Sequence, residues 1–419
     1  MLTSTGYVTN ANPELRRILT VRPIAIGDRP PPAAFRVFRE SGQHLCVPQY
    51  FGKSHLGERP VDRRADPARA NIEFAGELRP ELNQTDALRE AKAAIEGGGG
   101  VLSLPCGYGK SVIALAIASH IRLRTMIMVH KEFLADQWTE VIRRFCPGST
   151  IGRVQGDRME LDNDFVICLI QTMCAREHPV KAFESVGLLI VDEAHHICAK
   201  VFSQTMFKMC PRYTLGLSAT PDRKDGLTRV LHWFLGPTFF AIQRKSDDVK
   251  IQEVHFTGPF PTVIKPAVPT MITDLCQIPE RNKLITDEID KLLLTNRNIL
   301  VLTDRRAHCQ WFMDHYGDVA GLYIGGLARE ALEEAAKKRL IIGTFALAQE
   351  GLDIPKLDTV IFATPKADIV QASGRILRSR GNSPLIIDII DHWLMFNSMA
   401  SKRRRQYVDM GFLATGCLL

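Results

Sequence analysis

Long apolar runs are absent from this 419-residue chain. A membrane-spanning helix needs on the order of 18 consecutive apolar residues, whereas the best stretch, Val112–Ala118, stops at Ser119-His120. The N-terminus also lacks a basic segment followed by an apolar one, the mark of a secretory signal. Paired cysteines are missing too. Ten Cys are scattered with no C-x-x-C spacing, which excludes a zinc ribbon and a dense disulfide frame. A reducing, intracellular location is therefore expected, with nucleus or cytoplasm left open. Aromatic residues are scarce at 7%, so the core must be aliphatic. No large charge excess exists either. The 53 basic and 46 acidic residues leave +7, which collects at the two ends, 1–75 and 371–419. That distribution admits a polyanionic partner without demanding one.

What is present is ordinary globular material, 45% hydrophobic and 24% charged, enough for two or three domains at about 150 residues each. Residues 1–75 hold 8 of the 23 prolines and only short apolar runs, such as Phe35–Phe38 and Leu45–Val47. They read as a small, β-rich or irregular accessory head. Helical spacing over Leu82–Ile95 then ends at Gly97–Gly100, a helix stop and turn. Beyond it, short apolar strands alternate with amphipathic stretches: Val101–Leu104, Thr125–Val129, Phe165–Ile170, Leu188–Val191 and Thr214–Leu217, with a helical pattern at Glu132–Phe145. A proline-dense segment containing one strand, Ile251–Phe256, interrupts the alternation. It resumes at Ile299–Leu302, Ala320–Tyr323, Leu340–Ile342, Thr359–Phe362 and Leu385–Ile389. The expected class is α/β, with parallel sheets flanked by helices. The boundaries are a head at 1–75, a first unit at 76–240, a connector at 241–278 and a second unit at 279–419.

The first motif with chemical content is Leu104-Pro105-Cys106-Gly107-Tyr108-Gly109-Lys110-Ser111, between a predicted strand and an apolar helix. Glycines let backbone N–H groups approach phosphate oxygens, and the helix N-terminus adds a positive dipole end. Lys110 suits the β- and γ-phosphates of a nucleotide, and the Ser111 hydroxyl suits Mg²⁺. The strict pattern has glycine where Leu104 stands. A glycine turn with an incidental lysine is the plain alternative. The second motif is Asp192-Glu193 after the apolar run Leu188–Val191. A buried parallel strand delivers two carboxylates where such sheets place ligands, one for the metal and one to activate water. A strand-to-helix cap is the alternative. The third is Gln371–Arg378, where Arg375 and Arg378 share a helix face and suit charge on a transferring phosphoryl group. A solvated basic face is its alternative, and the motif is expected to act only across an interdomain cleft.

These three motifs, with Ser218-Ala219-Thr220 between the second and third, follow the order found in superfamily-2 helicases and translocases. Roughly residues 78–395 resemble that superfamily, most nearly its XPB branch with viral and phage relatives. The resemblance implies two tandem RecA-like P-loop domains, ATP and Mg²⁺ as cofactors, and DNA as partner, with RNA as the alternative. It gives catalytic roles to Lys110, Glu193, Arg375 and Arg378, and adenine reading to Gln84. Nucleotide contacts fall to Pro105–Ser111, Asp353 and Gln371, and metal ligation to Ser111 and Asp192. His195, Ser218 and Thr220 are given the coupling of hydrolysis to movement. His130 and Lys131, with Gln137-Trp138 downstream, are implied in strand contact, as are Thr172, Arg305 and Thr344. The chain departs from the branch at Ala194, where valine is usual, and at Arg223-Lys224-Asp225, where the family has an acid in the middle. Its compact length is similar to virus- or phage-encoded members.

Two features have plainer readings. Lys402-Arg403-Arg404-Arg405 wraps around a helix, so a solvated helix end, a nucleic-acid contact and a nuclear import signal stay open. His195-His196 alone makes a poor metal site. A non-catalytic nucleic-acid-binding subunit is a further alternative, but its mark would be a damaged lysine, acid box or arginine pair, and all are intact.

Overall fold

The computed structural model describes the chain except residues 25–31, 58–59, 106, 180, 220–224, 243–248, 262–266, 351–353, 371, 374–382 and 414–419, and the side chains of 329 and 348–350. It forms two compact units, Met1–Ile242 and Gln243–Leu419.

The first unit opens with an antiparallel sheet of β1 (Leu2–Thr3), β2 (Gly6–Asn10), β5 (Arg39–Ser41) and β6 (His44–Val47), in the order β1-β2-β6-β5. A small ribbon pairs β3 (Thr20–Val21) with β4 (Phe35–Arg36). This head has no core of its own. Tyr7, Leu45 and Phe51 lie in one apolar cluster with Met128, Leu189, Phe207 and Phe234. The Tyr50 hydroxyl is 2.9 Å from Thr214 Oγ1, and Arg64 donates to the Pro211 carbonyl at 2.7 Å. So short and proline-rich a segment buries too little surface to stand alone, and it borrows the core of its neighbour.

That neighbour is an eight-stranded sheet. Its strands are β7 (Gly99–Ser103), β8 (Thr125–Val129), β9 (Ile151–Gln155), β10 (Arg158–Met159), β11 (Phe165–Leu169), β12 (Leu188–Val191), β13 (Tyr213–Ser218) and β14 (Thr238–Ala241), in the order β10-β9-β11-β8-β12-β13-β7-β14. All pairs are parallel except β9 with β10. The central strands are buried throughout, as expected of a sheet covered on both faces. The glycine run divides its work. Gly97 caps the helix Gln84–Glu96, while Gly99 and Gly100 already pair with Thr214 and Leu215. A Cβ on Gly99 would meet the Thr214 carbonyl oxygen at 1.8 Å, so the strand starts in residues that pattern alone reads as turn. Register aligns Ser103 with Ser218, and Val191 with both Gly216 and Met128. The loops after β7, β8, β12 and β13 therefore leave the sheet along one edge.

The second unit is a six-stranded parallel sheet. Its strands are β15 (Lys250–Phe256), β16 (Ile299–Thr303), β17 (Ala320–Tyr323), β18 (Leu340–Thr344), β19 (Thr359–Phe362) and β20 (Leu385–Asp391), in the order β15-β20-β19-β16-β18-β17. The proline-dense stretch is integral to it, because β15 pairs with β20 along its whole length and the helix Val268–Leu275 follows. Of the four tail cations, two are consumed inside the helix Phe396–Asp409. Arg403 is buried, donating to Asp388 at 2.8 Å and to the Lys366 carbonyl at 2.9 Å. Arg404 forks onto Glu253 at 2.6 and 2.5 Å. Breaking a buried pair strands the remaining charge. Arg403→Ala is thus expected to lower unfolding free energy by about 3–5 kcal/mol in chemical denaturation, while exposed Lys402→Ala and Arg405→Ala stay within about 0.5 kcal/mol of wild type. Among the described residues, no helix is long and apolar enough to cross a membrane.

Candidate ATP-hydrolysis site

The glycine-bearing loop begins where β7 leaves the sheet. Leu104 N–H donates to the Ser218 carbonyl at 3.0 Å, and the Leu104 side chain is fully buried. That burial explains the departure from glycine at this position, since an apolar anchor ties the loop to the core. Gly107 and Gly109 take φ of +86° and +75°, the left-handed region that glycine enters without penalty. A Cβ on Gly109 would also meet Gln84 Nε2 at 2.4 Å. The loop closes over the Lys110 ammonium, which donates to the Leu104 carbonyl at 3.0 Å, and the helix Lys110–Ile121 starts there. Ser111 occupies the second position of that helix. Gln84 is buried, and main-chain groups engage both ends of its amide. Oε1 accepts from Arg79 N–H at 2.9 Å, and Nε2 donates to the Tyr108 carbonyl at 2.9 Å. Among the described residues the other amide N–H has no partner, and the bond to Tyr108 makes the side chain a strut under the loop.

The carboxylates follow β12. Asp192 accepts at Oδ1 from Glu193 N–H at 3.0 Å and at Oδ2 from the Trp138 indole N–H at 2.9 Å. Burial pushes its carboxyl above the usual range, the Glu193 charge adds to that, and the Trp138 bond and the Lys110 charge oppose it. Glu193 itself has φ of 46° and ψ of 54°. A side-chain-bearing residue there carries backbone strain of about 1–3 kcal/mol. Its Oε2 is buried with no hydrogen bond among the described residues and lies 3.5 Å from His195 Nδ1. The ring of His196 lies between those of His130 and His195, tilted by 40° and 36° to them, with centroids 4.2 and 4.3 Å apart. Gln171 Nε2 donates to the His130 carbonyl. Among the described residues, no cluster of three or more His, Cys, Asp or Glu could hold a metal.

The first unit thus gathers Gln84, the loop, Asp192, Glu193, His195 and Ser218 at one edge of its sheet. His130 and Lys131 stand at the same edge, after β8. Thr172 Oγ1 accepts from Gly156 N–H at 3.2 Å. In the second unit, Arg305 fastens the helix Val268–Leu275, donating through Nε to Thr273 Oγ1 at 2.9 Å and through a terminal nitrogen to the Pro269 carbonyl. Thr344 ends β18, opposite Thr303. Cys106, Thr220, Asp353, Gln371, Arg375 and Arg378 lie outside the described residues. Sequence reasoning placed Trp138 with the strand-contacting segment and missed its bond to Asp192. The available signal was a tryptophan on the apolar face of an amphipathic helix, because a buried indole N–H needs an acceptor.

Residues 77–223 match the family described as "Type III restriction enzyme, res subunit". Across 93% of this chain and 81% of its own length, the "Putative ATP-dependent RNA helicase L396" of Acanthamoeba polyphaga mimivirus is 32% identical. The chain belongs to the superfamily-2 helicases. "Putative helicase 161L" of Invertebrate iridescent virus 6 is 28% identical over 81% of this helicase and 83% of itself. Among solved structures, T4 UvsW is 18% identical, covers 95% of this chain and 93% of its own, and superposes with a TM-score of 0.36. As a superfamily-2 helicase, the protein is a nucleic-acid-dependent ATPase.

Proposed function

We propose that the first unit binds ATP with Mg²⁺ and that hydrolysis drives movement along DNA. The observation that carries this reading is the Lys110 ammonium folded against its own loop, with its charge felt at Asp192. A triphosphate entering the loop would take over the ammonium from the Leu104 carbonyl and meet the first N–H groups of the helix. Ser111 and Asp192 offer a hydroxyl and a carboxylate, the hard oxygen donors that Mg²⁺ prefers. Each Asp192 oxygen spends one acceptor site on an N–H and retains another, so these residues fit the ion. When bound, Mg²⁺ would neutralise charge on the phosphates. Glu193, whose Oε2 accepts no hydrogen bond among the described residues, is the group to orient and deprotonate the attacking water. His195 contacts Glu193, and Ser218 hands the loop its first backbone bond. Both therefore suit the task of passing a change at the nucleotide to the rest of the sheet. Lys131 and Thr172 carry groups suited to a phosphate backbone, which holds no base identity.

DNA is the preferred strand because of the likeness to the XPB branch. RNA is the second reading, favoured by the name of the mimivirus relative, an ATP-dependent RNA helicase. ATPase rates with duplex DNA, single-stranded DNA and single-stranded RNA, compared at one salt concentration, decide between them. Stimulation by DNA above RNA is the expected result, and stimulation by RNA alone overturns it.

A further inference from the structure

We infer that Trp138 is a positioning residue for Asp192, fixing the carboxylate in the orientation that receives the divalent ion. This rests on the proposed site for ATP and Mg²⁺. The indole is 2% exposed and its single polar atom has one described partner, Asp192 Oδ2, at 2.9 Å. The bond reaches between elements 54 residues apart in sequence. Asp192 Oδ1 is held by the next backbone N–H, and Asp192 N–H donates to the Met128 carbonyl at 3.0 Å. Backbone bonds thus fix the residue and one oxygen, and Trp138 alone among described side chains sets the tilt of the other. Groups that orient a metal ligand typically carry a 10–100-fold share of metal affinity.

The location adds a consequence. Trp138 sits on the helix Glu132–Phe145, which begins directly after His130-Lys131, the segment proposed to touch the strand. Three links join that segment to the acid box: the Trp138 bond, the contact of the His130 and His196 rings, and the bond from Asp192 N–H to β8. A shift of the helix on strand binding is felt at the carboxylate through the most direct of them.

Phenylalanine at this position keeps an aromatic ring in the core and removes the donor, together with part of the buried indole volume. Mn²⁺ binding to the full chain with a non-hydrolysable ATP analogue, followed by the loss of the free-ion electron paramagnetic resonance signal, reads the effect. The Trp138→Phe protein is expected to bind Mn²⁺ roughly 10-fold or more weakly, with a lowered melting temperature from the void but a cooperative unfolding transition. Its kcat should recover as Mg²⁺ is raised, with little change in KM for ATP. Mn²⁺ affinity within twofold of wild type overturns the assignment, as does a rate loss that excess metal leaves unrepaired. If the wild-type protein takes up no Mn²⁺ with the analogue, the site reading itself fails, a different outcome from the first. Should Trp138→Phe not fold, the wild-type protein labelled with ¹⁵N-tryptophan serves. Trp→Phe changes at 233, 311 and 393 leave the Trp138 indole signal by elimination. That signal is expected to move on addition of Mg²⁺ and ADP, and an unmoved signal overturns the proposal.

Discussion

Glutamine in place of Glu193 should leave ATP binding intact and lower turnover by about 10²–10⁴-fold, the range for loss of a general base. The argument is local. The bond that Asp192 receives at position 193 comes from the backbone N–H, which the substitution keeps. Glutamine is isosteric and meets the same left-handed strain as glutamate, at φ of 46°, so the loop has no new reason to move. What changes is Oε2, which is buried, accepts no hydrogen bond among the described residues and lies 3.5 Å from His195 Nδ1. An amide there can position a water but cannot take its proton. Equilibrium binding of a fluorescent ATP analogue should give wild-type affinity, while single-turnover hydrolysis slows. A single-turnover rate within threefold of wild type would remove Glu193 from the base role.

The strands were the most legible part of the fold. Four sequence-read spans, Thr125–Val129, Leu188–Val191, Ala320–Tyr323 and Thr359–Phe362, coincide with β8, β12, β17 and β19. Strands buried on both faces must be apolar without interruption, and that pattern survives in one dimension. β9 escaped because it alternates, with Gly152 and Val154 buried between half-buried neighbours. The loop and acid box were legible for another reason: their chemistry depends on spacing within a few residues. What sequence could not supply was the partner of each polar group. Trp138 with Asp192, Arg403 with Asp388, Arg404 with Glu253 and Gln84 with the Tyr108 carbonyl are pairings that only the folded chain selects. The basic tail shows the cost of reading charge alone. Four adjacent cations look equivalent in sequence, yet one is a core residue, one is half-buried against Glu253 and two face solvent. Gln84 has a similar lesson: its bonds to Arg79 N–H and to the Tyr108 carbonyl could not be read from the sequence.

Lys110→Ala is expected to abolish nucleic-acid-stimulated ATPase and to weaken ATP binding by roughly 10–150-fold. That range corresponds to about 1.5–3 kcal/mol for a hydrogen bond to a charged group. Turnover should fall further than binding, because negative charge shifts toward the leaving group as the bond breaks and the lost ammonium is a point charge aimed there. Folding should survive. Position 110 is the first residue of its helix, alanine is the best helix former, and the helix is anchored by the buried run Ile113–Ala118 rather than by the lysine. The Leu104 carbonyl loses one donor, a cost of about 1–3 kcal/mol if it stays unpaired. Arginine offers a stricter check. Its planar fork is longer and cannot reproduce a single ammonium contact at 3.0 Å to the Leu104 carbonyl. Lys110→Arg should therefore keep the charge and still lose most turnover. If arginine restored wild-type rates, long-range attraction would account for the role of Lys110, and the folded-back geometry of the loop would not matter. Calorimetric ATP titration beside steady-state kinetics on both variants, with melting temperature as the folding control, separates the two.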